Sequence, residues 1–582
     1  MGLPEETLAR MTLQEKAGQM IQAYWAFVQP QDVIDLALGS VLFNEGATPA
    51  VWRGLTESFQ DAAKTAKVAL LLTATDAVHG VGMMPEATIF PHNAGLGQIE
   101  DEELIEELAK ITSIEMDAVG LNWNLAPCAA VCQNAGWGRS YESLSSDSNR
   151  VARRIAALVR GFQSSGRVLA CSKHFAGDGA CDRQSGSPLW DRGDNTMDEE
   201  GFEDQLAAFT SSIPGVGSMM AAFNRVHGVE CHGNRHLLTD RLRYDFGFQG
   251  FVISDWDGVA RVPGADAEER VSLAVNCGVD MIMATGQHPF DAPGTHATLL
   301  ACVEKGLITM ERIDEAVLRI LTAKDSIGLL DFTRPRGPDL DVIGQAEHQR
   351  VARKAVKAST LVLKSGALPL TSGREVLVVG TCANNSGRQS GGWTYGWQGN
   401  DGNVMGGLSM LEAMEQRVSV SQNMATTKAK VALIVTGERP YSEGVGDTDD
   451  VNVPAQDLSL IREAKTKGLK VVLLNLAGRC LCMPEDIHES LDGLVYCPLP
   501  GPNADPVIDV LFEDLALRVG GAALSKPWLK TPSKQLLSEE LERYYDVGYT
   551  LTKVPAPRGW VRPLAFVVLG TAVAVFALSK FP

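Results

Sequence analysis

The chain has 582 residues, 45% hydrophobic and 21% charged, enough to bury more than one core, which excludes a disordered chain and points to two or more domains. With 71 acidic against 52 basic residues and a formal net charge of -19, it lacks the concentrated Lys and Arg that a nucleic-acid backbone requires, so no nucleic-acid partner is expected. Its 11 cysteines stand singly or in loose pairs such as Cys128 and Cys132, an odd total without metal-type spacing, which argues against a disulfide scaffold and against a zinc site.

The opening stretch, MGLPEETLARMTLQEKAGQM, is charged and helical in period, without the apolar run of a secretory signal, and Glu6 breaks the myristoylation pattern. Short apolar runs then alternate with helical-period segments, the pattern of repeated strand-helix units and a parallel sheet. Strands are predicted at 68–73, 121–125, 168–172, 218–223, 251–254 and 280–284. Each is followed by polar or glycine-rich sequence, for example DAVHG from Asp76 and KHFAGDG from Lys173. A TIM-like β/α barrel over residues 1–335 accounts for this order, and in such a barrel the loops after the strands gather at one face and form the active site.

A stretch rich in proline, glycine and charge marks a linker at 336–355, and the helical-period run RVARKAVKASTLVL opens a second unit. That unit, 356–552, carries the strand-like runs EVLVVG, VALIVTG, KVVLLNLAG and GLVYCPLPG and reads as a smaller three-layer α/β sandwich. Residues 553–562 bridge to LAFVVLGTAVAVFALS, an uncharged run within 563–582 that is read as a single-pass C-terminal membrane anchor. At about 1.5 Å per residue the run reaches roughly 24 Å against a hydrocarbon core of ~30 Å, so local thinning is needed; a buried C-terminal helix is the alternative. Arg558 and Arg562 before the run outweigh Lys580 after it, which puts the main body in the cytosol.

Within GFVISDWDGV, Asp255 ends a strand, and on the stretch alone it serves equally as a helix N-cap or as a carboxylate aimed at a substrate. DAVHG, WGRSYES, KHFAGDG and SDW, in order at successive strand ends, carry more weight together. With MTLQEKAGQM, ATIFPHNAGLG, CGVDMIM, SGGWTYGWQG, GERPYSEGVGD and YYDVGYTLT, they make the chain resemble glycoside hydrolase family 3, in particular its two-domain β-glucosidases and exo-acting β-glucan hydrolases.

That resemblance implies a retaining exo-β-glycosidase acting on β-glucosides or β-gluco-oligosaccharides, with no metal or organic cofactor. It assigns Asp255 as nucleophile and Glu443, from the second domain, as acid/base, with Glu438 as the nearest competitor. Such chemistry needs two carboxyl groups about 5 to 5.5 Å apart. The histidine acid/base of another branch is closed, because the corresponding positions read Gly177-Asp178-Gly179. By the same match Asp76, Arg139, Lys173, His174 and Asp178 hold the terminal sugar, and Trp256 and Trp397 clamp the next ring. The plainer alternatives are a core histidine for His174, a turn pair with Glu142 for Arg139, and a capping or solvated role for Asp257. Two loops depart from the family pattern: CQNAGWGR before the barrel's arginine, and ACDRQSGSPLWDRGDNT after Gly179, where Asp191 and Asp194 are the available carboxylates. Those departures motivate the other reading, a catalytically weak, membrane-tethered carbohydrate-binding or scaffold protein on the same fold.

Overall fold

The computed structural model describes residues 2–183, 189–404, 406–514, 522–533, 536, 538 and 540–551. Eight short strands run parallel in its first half: β1 (Ile21–Tyr24), β2 (Ser40–Leu42), β3 (Leu72–Thr75), β4 (Trp123–Asn124), β5 (Leu169–Phe175), β6 (Ser218–Ala221), β7 (Phe251–Ile253) and β8 (Ile282–Ala284). Nearly every strand residue is buried, because the inner face packs on the barrel core and the outer face on helices, and this double burial explains why the strands lack a polar-apolar alternation. The sheet pairs consecutively from β1 to β7, and β8 joins β1 with Ile282 opposite Ile21.

The ring closes at the β7–β8 seam. Ile253 bridges Met281, and the Ser254 N–H donates to the Met281 carbonyl at 2.9 Å. Below that bridge Asp280 is fully buried among guanidiniums: its Oδ2 accepts from Arg243 (2.6 Å) and the Val252 N–H (2.9 Å), its Oδ1 from Arg312 (2.7 Å) and Arg319 (3.0 Å). Helices outside the ring start on side-chain caps, such as Asp101 accepting from Leu104 N–H before Glu102–Ala118 and Asp147 from Arg150 N–H before Ser148–Gln163.

The second sheet has β9 (Leu361–Ser365), β10 (Val376–Val379), β11 (Val420–Ser421), β12 (Val431–Thr436), β13 (Lys470–Asn475) and β14 (Gly493–Tyr496), in the order β9-β14-β13-β12-β10-β11. Only the β9–β14 pair is antiparallel. Alternate residues of β12 and β13 feed two separate cores, Leu433, Val435, Val472 and Leu474 on one face and Ala432, Ile434, Val471 and Leu473 on the other, so this is a sheet between two helical layers.

Several expectations are corrected. β1 and β2 escaped the sequence reading: at three or four residues apiece, flanked by helices, they give no period to detect. The strand expected at 68–73 lies at Leu72–Thr75. The helix expected to run through TLVL ends at Ser359, and Leu361–Ser365 is instead the edge strand paired antiparallel with β14. The segment 336–355 contains a short turn of helix, Leu340–Val342, and the first part of Ala346–Ser359.

All 11 cysteines are buried as thiols. Among the described residues no helix is long and apolar enough to cross a membrane, while the expected bridge 553–562 and anchor 563–582 lie outside the described residues.

Candidate active site

A pocket of about 480 Å³ opens at the end of the barrel where the strands terminate, and the second domain covers one side of it. Asp255, Glu443, Asp76, Arg139, Lys173, His174, Asp178, Trp256 and Trp397 all line it. The second domain is held there by buried bonds: Tyr141 donates its hydroxyl to the Tyr441 carbonyl (2.8 Å), Trp393 Nε1–H to Glu142 (3.1 Å), and Arg479, 1% exposed, donates to the Ala135 carbonyl (2.9 Å).

Asp255 stands two residues beyond β7. Its backbone N–H donates to His232 Nε2 (2.9 Å), so the His232 imidazole is neutral, and burial pushes its pKa down to about 3. The close approach of His232 needs glycine at 258, where a Cβ would come within 2.2 Å of the ring. The Trp256 N–H donates to Asp255 Oδ1 (2.7 Å), and Oδ2 faces His174 Nε2 at 3.8 Å. Asp255 therefore caps no helix. The short helix Gly258–Arg261 begins after Asp257, whose side chain makes no capping bond either; Asp257 sits at φ 60 and borders the pocket, which corrects its expected capping role. Burial raises the Asp255 pKa, while Arg139, Lys173, the Trp256 N–H and Arg192 pull it back down.

The deep end of the pocket is a paired polar cluster. Lys173 Nζ bonds Asp76 Oδ1, and Asn44 Nδ2 donates to Asp76 Oδ2 at 3.0 Å. Burial works against the Lys173 charge, but the Asp76 carboxylate outweighs it and keeps the ammonium. His174 Nδ1 bonds Asp178 Oδ2 at 2.8 Å; burial, with Arg139 and Lys173 nearby, holds the imidazole neutral. Asp178 is pushed up to about 7 by burial, with Asp191 adding and Arg139 opposing. Asp178 Oδ1 has no hydrogen-bond partner among the described residues, which leaves a buried oxygen ready for a ligand hydroxyl. Arg139 forms the expected pair with Glu142 through two bonds (3.0 and 2.8 Å), and it also borders the pocket, with its third nitrogen 3.6 Å from Glu443 Oε1.

Glu443 arrives from the second domain on a tight turn, Glu443–Gly446, with φ 56. Its carbonyl packs on Gly138, where a Cβ would lie 1.9 Å from the oxygen, so only glycine lets the two loops meet. Its carboxyl lies between Arg139 and Arg192 at 3.6 and 3.7 Å, beyond hydrogen-bond reach of either. Burial, with the Asp191 and Asp255 charges adding and Arg139 opposing, pushes its pKa up to about 7. Glu438 does not border this pocket: Tyr441 donates to it at 3.0 Å and Arg479 at 3.1 Å.

Residues 12–323 match the profile of the glycosyl hydrolase family 3 N-terminal domain, and residues 360–549 match that of its C-terminal domain. The chain belongs to glycosyl hydrolase family 3. An exo-1,3/1,4-β-glucanase from a Pseudoalteromonas species is 32% identical and superposes with a TM-score of 0.87, covering 96% of this chain and 97% of that one. A lysosomal β-glucosidase of Dictyostelium discoideum is 28% identical over 76% of this chain, which spans 59% of that protein's length. A periplasmic β-glucosidase of Salmonella typhimurium is 25% identical over 88% of this chain and 72% of its own.

Several residues in and around the pocket of this family 3 chain went unread in the sequence. Asp447 lies within GERPYSEGVGD and accepts three backbone N–H bonds from the barrel: Gly138 at 2.7 Å, Trp190 at 2.7 Å and Asp191 at 2.9 Å. It thereby ties the Glu443 turn to both departing loops. Of the two carboxylates in the altered loop, Asp191 borders the pocket and accepts from Trp137 Nε1–H (3.2 Å), whereas Asp194 is turned away to the Gly228 N–H (3.1 Å). Arg192, Asn44, Trp393, Tyr24 and Phe27 also border the pocket, and no local signal distinguished them from ordinary loop and core residues.

Proposed function

We propose that this protein is a retaining exo-β-glycosidase that removes terminal β-glucosyl units from β-glucosides and β-gluco-oligosaccharides. The observation that carries this reading is the pairing of two differently held carboxyl groups in one pocket. Asp255 lies among positive groups that favour its ionised form, and Glu443 is buried with a pKa of about 7. The similarity to a β-glucosidase and to an exo-1,3/1,4-β-glucanase supports the glucosyl substrate class.

In the first step the Asp255 carboxylate attacks the anomeric carbon as the glycosidic C–O bond breaks, and Glu443 gives its proton to the departing oxygen. In the second, Glu443 takes a proton from water, the water oxygen bonds the anomeric carbon, and the ester to Asp255 breaks. The buried Lys173, Arg139 and Asp178, with the half-buried Asp76, accept and donate to the terminal sugar's hydroxyls. A pocket closed at its deep end admits a chain by its terminus, which supports exo action.

Incubation with a panel of chromogenic β-glycosides, with Asp255→Asn beside the natural chain, tests this. Release of glucose, abolished in the variant, with fluorosugar labelling of Asp255, is expected. Turnover of no glycoside, or turnover unchanged in the variant, would overturn it. The apolar run in 563–582 supports a membrane-tethered form of the same enzyme, with its body in the cytosol. Deletion of those residues should release the protein from membranes, and retention after deletion would dismiss the tether.

A further inference from the structure

The wall that Trp256 gives the pocket continues outward into two more rings. Tyr24 meets Trp256 edge-on at 5.7 Å, and Phe27 lies 5.3 Å from Tyr24 and 6.4 Å from Trp256. All three border the pocket, and Phe27 is 55% exposed. A single exposed phenylalanine needs no explanation. Phe27 differs in being fixed: it follows β1 on a one-turn helix, Trp25–Phe27, and packs on Gly286, where a Cβ would come within 2.2 Å of the ring. It also has polar neighbours suited to hydroxyls. The Tyr24 hydroxyl donates to Glu45 Oε1 (2.9 Å), leaving that carboxylate its other oxygen, and Asp257 borders the same mouth. Trp397, from the second domain, lines the same pocket and is 47% exposed.

Exposure rises across the pocket lining, from the buried Lys173, His174 and Asp178, through the half-buried Asp255, Glu443 and Trp256, to Trp397 and Phe27. A pyranose presents an apolar C–H face and a rim of hydroxyls, so a fixed ring beside carboxylates fits one further sugar unit. We infer that Phe27, backed by Tyr24, binds the second sugar ring on the leaving-group side, so that the preferred substrate is a β-gluco-oligosaccharide of at least three units. This rests on the glycosidase reading of the same pocket and adds a length preference to it.

The test compares kcat/KM of the natural chain, Phe27→Ala and Phe27→Tyr on methyl β-glucoside, nitrophenyl β-glucoside and β-1,3-linked glucose di-, tri- and tetrasaccharides. The natural chain should gain roughly three- to tenfold from di- to trisaccharide, the value of one stacking contact. Phe27→Ala should lose that gain while methyl glucoside and disaccharide stay within about twofold, and Phe27→Tyr should restore it. An equal loss on every substrate, a loss confined to the nitrophenyl glucoside, or no gain at the trisaccharide in the natural chain would each overturn the assignment. If the natural chain hydrolyses none of them, the glycosidase reading falls. Calorimetric binding to Asp255→Asn then still decides the ledge: tighter binding of tri- than of disaccharide, lost with Phe27→Ala, upholds it, and equal binding overturns it.

Discussion

The β7–β8 seam carries an aspartate at each end, and the two are held in opposite ways. Asp280, at the start of the seam, accepts from three guanidiniums and a backbone N–H, and although burial opposes its charge, Arg312, Arg243 and Arg319 hold its pKa below the ordinary range. Asp255, at the far end, accepts one backbone N–H, and burial raises its pKa. A carboxylate whose lone pairs are all answered by the protein is committed to the fold; one left short of partners is available to a ligand. Both are aspartates, but Asp280 is fully buried with four donors, whereas the Asp255 side chain keeps 15% exposure and one backbone donor, so exposure and donor count together separate structure from chemistry.

The sharpest test of this contrast is Asp255→Asn. Turnover should fall roughly ten-thousandfold or more, because no other group supplies the covalent bond, while the thermal midpoint at neutral pH should not fall. Steady-state kinetics beside calorimetry reads both, and a loss of stability like that of an Asp280 variant would erase the distinction.

Next comes Glu443→Gln, expected to cost roughly a hundred- to ten-thousandfold on glucosides with poor leaving groups and far less on activated ones, since only the former need a proton. Glu443 must be protonated to act, so kcat/KM of the natural chain should decline as pH rises through about 7, and that limb should vanish in the variant. Stability moves with it. A carboxyl raised from 4.5 to about 7 binds a proton in the fold that the unfolded chain has lost, so stability drains away as pH rises between those values. Glu443→Gln should therefore melt higher than the natural chain at pH 8 and not at pH 4.

Asp280 has the opposite sign: its folded pKa is lowered, so its contribution is present above the ordinary aspartate range and is lost as pH falls through the folded value. Asp280→Ala should destabilise by about 3 kcal/mol, because three guanidiniums lose their shared partner. Denaturant unfolding measures this, and kcat of the folded fraction should remain that of the natural chain. A variant as stable as the parent would show that the seam closes without its ion cluster.

Much of this contrast was legible in the sequence, and the illegible part has a physical reason. Six of the eight barrel strands show as apolar runs followed by polar loops; Asp255 and Asp76 fall just past their ends, whereas Lys173 lies within β5, which runs on to Phe175 beyond its expected end at 172. β1 and β2 are too short and too uniformly buried to carry a period, so the ledge built on Tyr24 and Phe27 stayed hidden with them. The family match assigns Glu443 as acid/base with Glu438 as its nearest competitor; in the fold Arg479, which lies beyond β13, occupies Glu438, while Glu443 borders the pocket. The cap question at Asp255 likewise turned on the fold: Oδ1 takes the Trp256 N–H, Oδ2 faces His174, and the next helix starts only after Asp257.

The smallest predicted effect concerns how Glu443 is held rather than what it does. Asp447 uses both oxygens: Oδ1 for the Gly138 N–H, Oδ2 for those of Trp190 and Asp191. In Asp447→Asn one of these sites becomes an NH2 facing backbone donors, so at least one bond is lost and a donor is left buried, a cost of about 1–2 kcal/mol. Asp447 touches none of the reacting atoms, so its effect on rate acts through the Glu443 turn. Poor leaving groups should lose roughly tenfold in kcat, as one displaced general acid implies, while activated glucosides and KM change little. If kcat fell equally on both classes of leaving group, the clamp would be serving the pocket as a whole. The difference between the seam's two aspartates would then reach no further than the barrel, and the second domain would contribute Glu443 without any device to aim it.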